Sequence, residues 1–123
     1  MRHCRETSPL YPAWPSVVAA DLDAALAAVA AADLGRLGPV AEGNALAMHA
    51  VMLAARPAIR YLTPGTLAAL DRVASWRAEG IPVWATMDAG PNLKLLFETA
   101  HEAALSERAP GLRVADPWQA PPA

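Results

Sequence analysis

Residues 82–97 read Pro-Val-Trp-Ala-Thr-Met-Asp-Ala-Gly-Pro-Asn-Leu-Lys-Leu-Leu-Phe, two short apolar runs on either side of a turn. The first run, Ile81 to Met87, ends on a carboxylate, Asp88, and the second begins at Leu93. Runs of this length around Gly-Pro predict a β-hairpin. Gly90 can take a positive φ, and Pro91 fixes its own φ and has no N–H to donate. Such a turn holds Asp88 at a strand end, on stiff backbone, where a strand can meet a ligand. The plain alternative is a loop aspartate that bonds its own turn amides.

Outward from the hairpin, the pattern is helical. Thr63-Pro64 is a start signal, an N-cap followed by proline at the first helical position, and Gly80 is a stop. Between them Leu67, Leu70, Val73 and Trp76 predict a buried stripe. Upstream, Val18, Leu22, Leu26 and Val29 predict an amphipathic helix from Ser16 to Ala32. Asp33 can cap a second long helix, with Leu37, Val40, Ala41, Met48, Val51 and Met52 inside and Pro57 at its end. Gly35, Gly38, Pro39 and Gly43 weaken the first half of that helix.

The remaining segments complete the pattern. Residues 1–8 are expected to be extended, and Ile59–Leu62 a short strand or a bare connection. Thr99–Arg108 predicts a fourth helix and Leu112–Ala115 a last strand. Residues 116–123 hold three prolines and are expected to form a disordered tail, which leaves 1–115 as one domain. The order predicts an α+β fold, helices packed on one face of a small antiparallel sheet.

Composition narrows the class. The chain has 123 residues, 54% hydrophobic and 18% charged, which suits one globular domain rather than a disordered one. Net charge is −2 with no basic cluster, so nucleic acid is not an expected partner. One cysteine, Cys4, excludes an internal disulfide and an all-cysteine metal site, and a reducing cytoplasm is the expected setting. The Val17–Ala32 stretch is apolar but carries Asp21 and Asp23, so no membrane span is expected. The first six residues have no apolar core and do not make a signal peptide.

Few residues offer chemistry. Asp88 leads, because a carboxylate within hydrogen-bond reach can orient a hydroxyl and take its proton. Ala89, Gly90 and Asn92 contribute shape, since small residues let backbone approach a ligand, or they only close the hairpin. Asn44 and Met48 share a helix face. Asn44 and His49 are read as ties from that helix to the hairpin, or to Thr7 and Ser8, rather than as pocket groups. His3, His49 and His101 lack ligand spacing, so no metal is expected on this chain. Lys94, the only lysine, is expected to face solvent. Trp14, Trp76, Trp84 and Trp118 are expected to fill core or edge.

Four blocks, in order, resemble the C-terminal part of the diphosphomevalonate decarboxylases of the GHMP kinase superfamily. They are Glu6-Thr7-Ser8-Pro9-Leu10-Tyr11-Pro12-Ala13-Trp14, then Ala41-Glu42-Gly43-Asn44-Ala45-Leu46-Ala47-Met48-His49-Ala50, then Ala54-Ala55-Arg56-Pro57 with Tyr61, and Ala85-Thr86-Met87-Asp88-Ala89-Gly90-Pro91-Asn92-Leu93-Lys94. The resemblance runs from Met1 to about Phe97, and the last block is the most specific.

The resemblance implies a ferredoxin-like C-terminal domain. It implies ATP-dependent decarboxylation of mevalonate 5-diphosphate to isopentenyl diphosphate, with Asp88 as the catalytic aspartate. Met1 aligns with a methionine near the substrate, although here it can be only the initiator. ATP and magnesium are implied for the complete enzyme, with none expected on this chain alone. The sequence holds no Gly/Ser-rich phosphate loop, a part the family carries on an N-terminal domain that this sequence lacks. Two readings therefore stand. The chain acts with a separate N-terminal half, or it is a non-catalytic remnant that binds or self-associates, for example as a homodimer, through a bared apolar interface.

Overall fold

A computed structural model describes residues 1–115 of the chain. The proposed tail and Trp118 lie outside the described residues. Five α-helices and one hairpin follow in the order α1 (Arg2–Thr7), α2 (Trp14–Ala30), α3 (Leu34–Leu53), α4 (Pro64–Ala78), β1 (Val83–Thr86), β2 (Lys94–Phe97) and α5 (Glu102–Arg108). Short 3-10 turns at Tyr11–Ala13 and Thr99–His101 lead into α2 and α5. The fold is α+β with a two-stranded antiparallel sheet, as the sequence predicted.

Local chemistry explains the helix starts. The Asp33 carboxylate accepts from the Arg36 amide at 3.0 Å and caps α3. Thr63 and Thr66 form a reciprocal capping box ahead of α4, with Pro64 in its first turn. Gly80 follows α4 with φ +94°, a conformation that favours glycine. Pro39 sits inside α3 without breaking it. The expected end at Pro57 is too late, since α3 stops at Leu53. Residues 59–62 are a bare connection.

Two cores hold the elements together. In one, Val73 of α4 and Leu105 of α5 meet Ile81, Val83 and Ala85, with Leu95 and Phe97 against them. Val83 pairs with Phe97 and Ala85 with Leu95, so these four side chains share the sheet face that α4 and α5 cover. In the other, Cys4 of α1 packs with Val51, Met52 and Ala55, flanked by Tyr11 and Trp14. That burial corrects the expectation for residues 1–8. They form a helix, because Cys4 is fully buried and distant groups tie its neighbours down. The Thr7 hydroxyl accepts from the Arg56 amide at 3.1 Å, and His3 Nε2 donates to the Pro57 carbonyl at 2.9 Å.

The stripe predicted for α2 faces the wrong way. Leu22, Leu26 and Val29 are 56%, 59% and 62% exposed, while Ala28 is fully buried. Helices α2 and α3 lie close together, and close axes need small side chains at the contact. The alanine face therefore goes inward and the leucines outward. Asn44 of α3 donates to Asp21 of α2 at 2.9 Å across the same seam. By length and composition alone Tyr11–Ala30 could cross a membrane, with a mean hydropathy of 1.4. Its two mid-segment aspartates, one of them held by Asn44, argue for a surface helix. On α4, Leu67 is likewise exposed, and Thr66 takes the buried place instead. Residues 112–115 form no strand.

Helix α3 stands against the outer margin of β1. Gly38 makes this possible, because a Cβ there would lie 2.1 Å from the Trp84 ring. Glu42, one turn on, accepts from the Ala85 amide at 2.8 Å, and Arg77 of α4 donates to the Val83 carbonyl at 2.8 Å. Side chains thus take the hydrogen bonds a third strand would make on that side. The register then turns the backbone groups of Leu95 and Phe97 outward on the β2 side, where no described residue hydrogen-bonds them.

Candidate functional site

Strand β1 delivers Asp88 as the sequence suggested. Val83, Trp84, Ala85 and Met87 are all buried, and the chain surfaces at Asp88, whose carboxylate is exposed. It pairs with the Lys94 ammonium at the start of β2. The sequence placed Lys94 in solvent. It is exposed, but the hairpin register returns it to the carboxylate six residues earlier. Both groups are wet, so the pair adds little to stability, about 0–1 kcal/mol.

The turn itself is short of internal bonds. Gly90 N–H donates to the Asp88 carbonyl at 2.8 Å. Gly90 does not use the positive φ expected of it; only Gly80 and Gly111 do among the described glycines. Nor does packing require glycine there, since an added Cβ would meet no atom within 4 Å. Ala89 and Asn92 are exposed beside it.

Helix side chains complete the support. His49, 2% exposed, places Nε2 3.1 Å from the Asp88 carbonyl oxygen. The Thr66 hydroxyl donates to the Pro91 carbonyl at 2.9 Å. His49 is therefore a tie to the hairpin, one of the alternatives the sequence left open. Asn44 ties to α2 instead. Neither the Thr66 bond nor the Glu42–Arg77 pair was visible in sequence, because their partners stand 25 and 35 positions apart.

Met1 stands at the N-cap of α1, 53% exposed, and joins neither core. No hydrogen bond links it to residues 88–92 among the described residues. An open cleft of about 750 Å³ lies at the other end of the turn, between Thr66, Asn92 and Arg113. A smaller groove of about 330 Å³ runs between α2 and α3, lined by Leu22, Asn44 and Thr86. Among the described residues no group of three His, Cys, Asp or Glu could hold a metal ion.

The family model for the mevalonate 5-diphosphate decarboxylase C-terminal domain matches residues 1–109. The chain belongs to this family. Among solved structures, the mevalonate diphosphate decarboxylase from Enterococcus faecalis is 42% identical with a TM-score of 0.83. The match covers 87% of this chain and 33% of that one. The mevalonate pyrophosphate decarboxylase from Streptococcus pyogenes is 38% identical, with a TM-score of 0.82, covering 86% of this chain and 34% of its own. A structure of MDDEF in complex with MVAPP, AMPPCP and magnesium is 41% identical, with a TM-score of 0.83, covering 89% and 35%. No curated protein matches the chain. This decarboxylase domain therefore spans about a third of the length of the solved relatives it matches.

Proposed function

We propose that the chain supplies the carboxylate side of an ATP-dependent decarboxylation of mevalonate 5-diphosphate. Asp88 orients the tertiary 3-hydroxyl and accepts its proton as the oxygen bonds to the γ-phosphorus of ATP and the bond from that phosphorus to ADP breaks. The C–O bond of the new phosphate ester then breaks, and phosphate leaves with its electron pair. The C–C bond to the carboxylate breaks, its electrons form the alkene, and carbon dioxide departs with isopentenyl diphosphate. A partner half, outside this chain, binds ATP and magnesium. Ala89, Gly90 and Asn92 border the substrate, and Met1 approaches it from α1.

The observation that supports this reading is Gly90. Neither its backbone conformation nor its neighbours in the chain need a glycine, yet it sits two residues from an exposed carboxylate. A glycine with no internal reason fits close approach by something outside the chain. Lys94 offsets the Asp88 charge.

The test is a fusion of this chain to the N-terminal two-thirds of the Enterococcus faecalis enzyme. ATP-dependent release of carbon dioxide is expected, and Asp88→Asn should lower its rate by about 10²–10⁴-fold. A fusion that folds and binds ATP but gives a rate indifferent to Asp88→Asn refutes the assignment.

The exposed Leu22, Leu26 and Val29 favour a second reading, in which the chain acts by self-association or binding. An inactive, ATP-binding fusion together with a concentration-dependent dimer of the chain alone would favour it.

A further inference from the structure

The segment from Asp88 to Pro91 makes one hydrogen bond of its own, from Gly90 N–H to the Asp88 carbonyl. A turn so sparsely bonded samples several shapes unless something outside it chooses one. Two helices do so, at its two ends.

At the first end stands His49, buried in α3. Its Nε2 lies 3.1 Å from the Asp88 carbonyl, an atom that only accepts, so Nε2 carries the proton and donates. The ring is fixed edge-on against Tyr61, with centroids 6.3 Å apart and planes at 90°. At the second end stands Thr66, buried in the first turn of α4. Its single hydroxyl proton goes to the Pro91 carbonyl at 2.9 Å. The oxygen is then left to accept, from the Thr63 hydroxyl at 2.9 Å and the Thr63 amide at 3.3 Å. One hydroxyl thus joins the cap of a helix to the turn.

We infer that His49 and Thr66 are positioning residues that hold the Asp88 turn from beneath. They touch carbonyls, not the carboxylate, and leave it free to meet a substrate while the backbone behind it cannot pivot. What the carboxylate is used for rests on the proposed decarboxylase reading; the hold does not.

A buried histidine that only satisfies the core would loosen the whole domain when changed. A positioning histidine loosens the turn. Amide exchange of the purified, ¹⁵N-labelled full chain separates the two. His49→Phe keeps a ring and removes the donor; His49→Gln returns an N–H at similar reach. Thr66→Val and Thr66→Ser make the matching pair. In His49→Phe and Thr66→Val the Gly90 amide is expected to exchange about five-fold faster or more, the scale of one net hydrogen bond. The amides of Trp84, which the register turns toward β2, and Leu105 should move less than about two-fold. Gln and Ser should restore most of the protection. In the fusion enzyme, His49→Phe should lower kcat with KM little changed, and His49→Gln should recover it.

Unchanged Gly90 exchange, or equal acceleration at every amide, overturns the proposal. If His49→Phe does not fold, the Thr66 pair and His49→Gln decide on the same criteria. Normal turnover in Asp88→Asn beside a loosened Gly90 would remove the decarboxylase role of Asp88 and leave the hold standing. Lost turnover in Asp88→Asn with an indifferent Gly90 would do the reverse.

Discussion

Arg77 grips Glu42 with both terminal nitrogens, Nη2 to Oε1 at 2.8 Å and Nη1 to Oε2 at 3.1 Å. The same Nη1 reaches the Val83 carbonyl, and the same Oε2 takes the Ala85 amide. Planar fork and planar carboxylate match each other and also match the spacing of a strand edge. The pair joins α3, α4 and β1 at one point.

Glu42→Ala should therefore cost more than an ordinary surface ion pair. It strands the Ala85 amide and takes from Arg77 its charged partner. We expect a loss of about 1–3 kcal/mol in denaturant unfolding. Glu42→Gln, which keeps an acceptor, should lose less. Equal losses in both would show that the strand amide does not need this partner.

Gly38→Ala should be poorly tolerated, because its methyl would meet the body of the Trp84 ring rather than a mobile tip. Overpacking of this kind costs about 1–3 kcal/mol. Trp84→Ala removes every one of those ring atoms, so the double variant should be more stable than the sum of the single losses implies. Additive losses would mean that α3 and β1 do not meet at this contact.

Leu22→Gln and Leu26→Gln should change stability by less than about 0.5 kcal/mol, since both side chains already face water. Val51→Ala, in the second core, should cost about 1–3 kcal/mol. The two α2 substitutions should also reduce self-association in sedimentation at rising concentration. A large loss of stability from either would place that stripe inside the domain.

Lys94→Met should leave the melting temperature of the isolated chain within about 2–3 °C, as should Asp88→Asn, because their pair is solvent-exposed on both sides. A larger drop in either would give the pair a structural role that its exposure argues against.

The parts of the fold legible in sequence are those made by neighbours along the chain. Asp33 caps its own helix, Thr63-Pro64 starts the next, and Gly80 stops it; each acts within four residues. The Asp88 turn was legible for the same reason. The helix at residues 2–7 was not, because Cys4 and Thr7 are held by groups about fifty positions away. The facing of α2 was misread because periodicity shows that a helix has two faces, not which one a close neighbour prefers. Alanine won over leucine there through backbone distance, a property of the pair α2 and α3. The supports beneath Asp88 follow the same rule. Asn44 and His49 were seen as polar groups needing partners, but only the folded chain brings Asp21 to the one and the Asp88 carbonyl to the other.

The two margins of the hairpin are unlike, and that limits how further strands can add to it. The β1 side is stoppered by Glu42 and Arg77; among the described residues nothing hydrogen-bonds the β2 side at Leu95 and Phe97. A further strand has one place to add. If that strand comes from a second copy, the four-stranded sheet that results again ends in two stoppered margins, and growth halts. A hairpin open on both sides would pass such contacts from chain to chain and lengthen into a fibre. A hairpin with one open margin closes at two.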